Sequence, residues 1–141
     1  MTAALDADVL IGALDRSDGN HARARALFEE WRSDGQRRLI SVINLSEVLV
    51  APSRDRRRLQ QARESIVALG AGVFHATEPI VVEAAHLRAR HPVSLPDAYC
   101  LATAKHLRAR VASFDEKVRR AAGREQLETA WEPPAACPDH R

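Results

Sequence analysis

Ala3-Ala4-Leu5-Asp6-Ala7-Asp8-Val9-Leu10-Ile11 opens the chain and decides how the rest is read. The short apolar run Ala3-Ala4-Leu5 reads as a buried strand, and Asp6 ends it. Val9-Leu10-Ile11 then begins a helix, with Asp8 at the N-cap position. The same unit recurs: Leu39-Ile40-Ser41, Val73-Phe74-His75 and Val111-Ala112-Ser113 read as strands, each followed by a helical stretch.

The helices have their own signals. Ala24, Leu27, Phe28 and Trp31 fall at i, i+3, i+4 and i+7, and Ser33-Asp34-Gly35 closes that helix. A helix over 43–50 stops before Pro52. The next, over 55–69, turns Leu59, Ala62, Ile66 and Leu69 inward, with Gly70 past its end. Thr77 and Pro79 open another, with Ile80, Ala84 and Leu87 inward, which ends before Pro92. Pro96 sits in the first turn of a helix running to Leu107, whose expected buried face is Ala98, Leu101, Ala102 and the stem of Lys105. A last helix over 116–122 is expected to end at Gly123, and 127–131 to form a weak edge strand. Strands alternating with amphipathic helices indicate an α/β fold in three layers, α/β/α, around a parallel sheet of four or five strands.

The 141 residues fit one domain, expected over 1–131, with a Pro-rich tail over 132–141. The net charge is only +2, but Arg is clustered at Arg37-Arg38, at Arg54 with Arg56-Arg57-Arg58, and at Arg119-Arg120. Guanidinium groups suit phosphate, although such clusters also serve as solvated surface. Cys100 lies in an apolar helix and Cys137 in the tail, with no metal-type spacing between them, which suggests a reducing compartment. An acid at position 6 fits no signal peptide, and no apolar run approaches the roughly 20 residues of a membrane helix, so a cytoplasmic location is expected. His21, His75, His86, His91, His106 and His140 show no ligand spacing, and Trp31 and Trp131 read as core or interface anchors.

Four acids are placed for chemistry. Ligands of an open parallel sheet bind beyond the carboxyl ends of its strands. Asp6 follows the first strand, Glu47 lies on the helix after the second, Asp115 stands two residues past Ser113, and Asp97 opens the helix leading into the fourth. Each has a bland reading as a strand end, a solvated helix residue or a helix-terminal acid. Glu47, however, shares its face with Ile43, Val50 and Ala51, a poor place for an idle charge. Two carboxylates about 4 Å apart repel by roughly 4 kcal/mol at an effective dielectric near 20, so convergence raises their pKa values or recruits a cation. All-oxygen ligands favour Mg²⁺ or Mn²⁺, which polarise a phosphoryl oxygen and activate water.

The order and setting of these acids resemble the PIN-domain nucleases over nearly the whole chain. Leu5-Asp6-Ala7-Asp8-Val9-Leu10-Ile11 resembles the first motif of that family, in which Asn is commoner where Asp8 stands. Leu45-Ser46-Glu47-Val48-Leu49 resembles the second, and Leu95-Pro96-Asp97-Ala98 with its Ala-rich helix the third. Val111-Ala112-Ser113-Phe114-Asp115 resembles the fourth. A lone domain of this length is most similar to VapC-type toxins of toxin–antitoxin pairs. The resemblance implies a Mg²⁺-dependent endoribonuclease that leaves a 5′-phosphate and a 3′-hydroxyl, a homodimer, and inhibition by a small antitoxin. Carried over, Asp6, Asp97 and Asp115 are metal-site acids, Glu47 joins them directly or through water, and Ser113 orients Asp115 or a metal water. Arg54, Arg56, Arg57 and Arg58 are candidates for flanking phosphates.

Two other readings compete. Asp6-Ala7-Asp8 is similar to the start of haloacid-dehalogenase-type phosphatases, where the first Asp is the nucleophile. That family carries a Lys before a final acidic pair, whereas the only lysines here are Lys105 and Lys117, and Glu116 follows Asp115. The other is a catalytically silent RNA-binding module on the PIN fold, against which the complete set of acids argues.

Overall fold

The period-two alternation of the first strand divides the core in two. In the computed structural model, which describes residues 1–130, β1 (Thr2–Leu5) sends Ala3 and Leu5 to one side and Ala4 to the other. β2 (Arg37–Ser41), β3 (Ala71–Phe74) and β4 (Arg110–Ala112) complete a sheet of order β3-β2-β1-β4. Every pairing is parallel, with Leu5 opposite both Ile40 and Ala112, and Ile40 opposite Val73.

On one face, Ala3, Leu5, Ile40 and Ala112 pack under α1 (Ala7–Leu14), α2 (His21–Ser33), α3 (Val42–Leu49) and α4 (Arg56–Ala68). Trp31 fills the centre of that layer, 1% exposed, with Phe28 edge-on at 5.1 Å. On the other face, Ala4 and Val111 pack under α5 (Glu78–Arg90), α6 (Leu95–Leu107) and α7 (Glu116–Arg124). This is the expected α/β/α sandwich, with four strands.

Several details differ from expectation. Asp6, not Asp8, caps α1: its backbone is extended and its side chain accepts from the Ala7 N–H, so the helix starts one residue after the strand ends. Gly123 does not end α7, which runs on to Arg124; the reversal comes at Gln126, at φ 61. Lys105 does not bury its stem. It lies exposed and pairs with Glu83 and Glu125, while Cys100, Thr103 and Ala104 fill the interior. The expected fifth strand reduces to one bridge between Val111 and Thr129, held by hydrogen bonds to Glu128 and from Ala130. Trp131, Cys137, His140 and the expected tail lie outside the described residues. Among the described residues no helix is long and apolar enough to cross a membrane.

Candidate active site

In the order β3-β2-β1-β4 the chain winds from β1 outward to β2 and β3, then returns to the other side of β1 as β4. The crevice at this reversal opens beyond the carboxyl ends of β1 and β4, the place where such sheets bind ligands. The Asp6 N–H donates to the Ala112 carbonyl at 2.8 Å, extending the ladder one residue and fixing Asp6 at the mouth.

One hydroxyl ties the two strand ends together. Ser113 Oγ donates to Asp6 Oδ2 at 2.6 Å and accepts from the Asp115 N–H at 3.1 Å. Asp6 and Ser113 are both buried, whereas Asp115 is exposed and caps α7 by accepting from the Lys117 N–H at 2.8 Å. Asp8 reaches the same loop, where its Oδ2 accepts from the Phe114 N–H at 3.0 Å. Its Oδ1 is buried without a partner. Such an orphaned carboxylate oxygen is costly unless something outside the chain compensates it.

Asp97 and Glu47 approach from the helices. Ser94-Leu95-Pro96-Asp97 forms a capping box, with Asp97 N donating to Ser94 Oγ at 3.2 Å and Ser94 N to Asp97 Oδ2 at 3.3 Å. Asn44, fully buried, donates to Glu47 Oε1 at 3.3 Å and to the Pro96 carbonyl at 2.9 Å, joining α3 to the first turn of α6. The sequence reading missed Asn44; an amide three residues before Glu47 in an apolar helix was its only signal.

The acids feel one another. Burial, then the charges of Asp8 and Asp97, push the Asp6 carboxyl up to about 7 against the hydrogen bond from Ser113. Burial raises Asp8 to about 6, with Asp115 and Asp97 adding to it and the Phe114 N–H opposing. Glu47 is raised by burial and by Asp97, against the Asn44 hydrogen bond. The buried Cys100 thiol is pushed up by desolvation first and then by Asp6, Asp8, Asp97 and Glu47, which places it behind the acids. Asp6 and Asp97 therefore share one region. Among the described residues no ion pair involves Asp6, Asp8, Glu47, Asp97 or Asp115.

The donor chemistry suits a hard cation: oxygens only, uncompensated, one of them buried and unbonded. The geometry is not preassembled, since among the described residues no three His, Cys, Asp or Glu side chains stand where they could hold a metal ion. The local hydrogen bonds explain why. Asp97 is drawn to Ser94, Asp115 to the first turn of α7 and Glu47 to Asn44. Gathering them around an ion requires side-chain rotations that give up exposed or half-buried caps.

The Arg candidates separate. Arg54, Arg56, Arg57 and Arg58 are all exposed around the start of α4. Arg58 lines a groove that also contains Glu47, and Arg56 lines a different, apolar cleft with Leu45, Leu49 and Val73.

Comparison with known proteins bears on this arrangement. No curated protein sequence matches the chain. Among solved structures, the fold is similar to a toxin–antitoxin complex from Klebsiella pneumoniae, at TM-score 0.72 and 24% identity over 94% of this chain and 100% of that one. It is also similar to VapC20 of Mycobacterium tuberculosis, described as a sarcin-ricin-loop-cleaving toxin, at TM-score 0.74 and 19% identity over 94% and 100%. FitAcB from Neisseria gonorrhoeae follows at TM-score 0.65 and 20% identity over 92% and 96%. Identities this low speak for the fold alone. The PIN domain family model, however, matches residues 3–124, from β1 through the end of α7, and so takes in both strands of the crevice and all five acids. The chain that builds this acid-lined crevice belongs to the PIN-domain family.

Proposed function

We propose that the chain is a Mg²⁺-dependent endoribonuclease and the toxin of a toxin–antitoxin pair. The observation that carries this reading is the set of carboxylates at the β1–β4 crevice that no cation among the described residues pairs with, centred on buried Asp6 and bridged by Ser113. Asp6, Asp97 and Asp115 would hold the ion, with Glu47 joining directly or through water. When bound, Mg²⁺ supplies Lewis-acid polarisation of the scissile phosphoryl oxygen. Ser113, bonded to both Asp6 and the Asp115 backbone, keeps the two strand-end acids in register. A carboxylate of the set takes the proton of the attacking water. Arg58, which lines a groove together with Glu47, would hold a flanking phosphate.

Several similar structures support the partner reading. The Klebsiella structure is a toxin–antitoxin complex, and a similar fold occurs in VapBC-1 from nontypeable Haemophilus influenzae at TM-score 0.67 and 16% identity. A small antitoxin, a homodimeric state and a cytoplasmic location belong to the same proposal.

The test is cleavage of a structured RNA with Mg²⁺ or with chelator, using the wild type and Asp97→Asn. The substitution keeps the backbone half of the capping box, because Asp97 N still donates to Ser94 Oγ. Cleavage by the variant should fall at least about 100-fold while the metal-free fold is retained. A variant that cleaves normally, or wild-type cleavage that survives chelation, overturns the reading.

A further inference from the structure

The seam between α1 and α4 carries a groove away from the acids. Its first part, about 350 Å³, is lined by Glu47, Arg58, Ile11, Leu14 and Ser65. Leu14 and Ser65 also line a second cleft of about 470 Å³, between α2 and the end of α4, so the two adjoin at these residues. That second cleft is strongly cationic. Arg16, His21, Arg25, Arg32 and Arg38 line it against a single acid, Glu29, which is already paired with Arg32 at 2.7 Å. Among the described residues no ion pair involves Arg16, Arg25 or Arg38.

Arg38 is the fixed member. Its guanidinium donates to the Gln36 carbonyl at 2.7 Å and the Leu69 carbonyl at 3.0 Å, both neutral, and its Nε is buried without a partner. Gly70, at φ +73, leaves this guanidinium the space that a Cβ would fill. The charge is thus held in place without a counter-charge among the described residues. Arg16 and Arg25 are exposed beside it.

We propose that this cleft is a second binding subsite for single-stranded RNA, with Arg16, Arg25 and Arg38 on its phosphates. The inference rests on reading RNA as the substrate. α1 joins the two places: Asp6 caps its start and Leu14 ends it, eight helical residues or roughly 12 Å apart. A single strand covers that distance in a few nucleotides, so a strand engaged at the acids reaches the cleft. RNA presents a negative charge at every nucleotide, which matches a cleft of several uncompensated cations. A peptide would need a run of acids at matching spacing to do the same.

Binding is measured apart from cleavage, by fluorescence anisotropy of a labelled single-stranded RNA on Asp97→Asn protein in chelator. Adding Arg16→Ala and Arg25→Ala should weaken binding about tenfold near 0.1 M salt and flatten the slope of log K against log salt by about 1.4, two phosphate contacts at about 0.7 each. Arg124→Ala, an exposed charge on α7, should change neither. The proposal is overturned if the double substitution leaves affinity and slope unchanged, if Arg124→Ala weakens binding equally, or if the parent does not bind RNA. It is also overturned if a polyglutamate peptide, and not RNA, binds in a manner that needs Arg16 and Arg25. Wild-type cleavage is scored separately. Arg-dependent binding without cleavage removes the nuclease reading and leaves the subsite, whereas cleavage with an unchanged salt slope removes the subsite alone.

Discussion

Asp6 and Glu125 are both acids at the margins of the helical layers, in opposite electrical company. Glu125 follows α7, at the end of the sheet away from Asp6. It receives Arg90 Nη2 at 2.8 Å, His91 Nε2 at 3.0 Å and Lys105 Nζ at 3.1 Å. Those partners, His91 first and then Lys105 and Arg90, hold its carboxyl down to about 2. Asp6 forms no ion pair among the described residues, and burial with the charges of Asp8 and Asp97 pushes it up to about 7. The chain can therefore neutralise a carboxylate with its own cations, and it does so at the ends of α5, α6 and α7. At the β1–β4 crevice no cation among the described residues does so, which is the feature on which the proposed Mg²⁺ site rests. A fold optimised only for stability would not treat its two acidic ends so differently.

The largest effect that would break this contrast is in the pH dependence of metal-free stability. Burial holds the Asp6 and Asp8 carboxyls up at about 7 and about 6, against an ordinary 3.8. Between pH 4 and 7 the folded state thus binds more protons than the unfolded one, and stability falls as pH rises through that window. At 1.36 kcal/mol per pKa unit, two units for Asp6 and one for Asp8, the loss from pH 5 to pH 8 should be roughly 4 kcal/mol. Urea unfolding in chelator measures it, and added Mg²⁺ should recover most of the loss at pH 8. A flat metal-free profile would mean that the acids are compensated after all.

The opposite sign is expected at Glu125. Its folded value of about 2 lies below the ordinary 4.5, so its contribution is complete above pH 4.5 and is lost as pH falls from 4.5 towards 2. Glu125→Gln should cost about 2 kcal/mol at pH 7, because buried His91 loses its carboxylate partner and Arg90 and Lys105 lose theirs. The urea midpoint gives the cost. The same substitution should flatten the acid limb of the stability profile and leave the response to Mg²⁺ unchanged. If Mg²⁺ stabilisation fell as well, the two ends would be coupled and the contrast between them would fail.

Which parts of this were legible in the sequence follows from the range of the interactions. Strands announced themselves as apolar triplets, and helices as 3.6-residue stripes, because burial on a sheet face or helix stripe is a local pattern. Leu27, Phe28 and Trp31, and Ile80, Ala84 and Leu87, are buried as that pattern requires. The acids were legible because each stands at the end of a local element. What was illegible joins distant positions: Ser113 to Asp6 across 107 residues, Asn44 to Pro96 across 52, His91 to Glu125 across 34. Lys105 shows how such links override a local pattern. Its place on the helix suggested a buried stem, and two acids, Glu83 and Glu125, hold it at the surface instead. The misplaced cap at Asp8 has a related cause. Its carboxylate is claimed by Phe114 across the crevice, and Asp6, one residue past the strand, does the capping.

Asp8→Asn tests the contrast most finely, because two effects subtract. The amide oxygen can still accept from the Phe114 N–H, so the loop carrying Ser113 and Asp115 keeps its anchor. Losing a half-buried acid stabilises the metal-free protein by an amount that grows as pH rises from about 4 and is complete above about 6. Against this, the new amide N–H group falls where Oδ1 now lies buried without a partner, and an unsatisfied donor costs about 1–3 kcal/mol. The net gain at pH 8 should be about 1 kcal/mol, turning to a loss at pH 4, where the aspartate is largely protonated folded and half protonated unfolded and little but the amide penalty remains. Chelator melts at the two pH values measure the change of sign. The same variant should gain less from Mg²⁺ than the wild type, because one source of the field that draws the ion has gone. Equal Mg²⁺ gains in both proteins would assign Asp8 to holding the loop and leave the attraction of the ion to Asp6, Asp97 and Asp115.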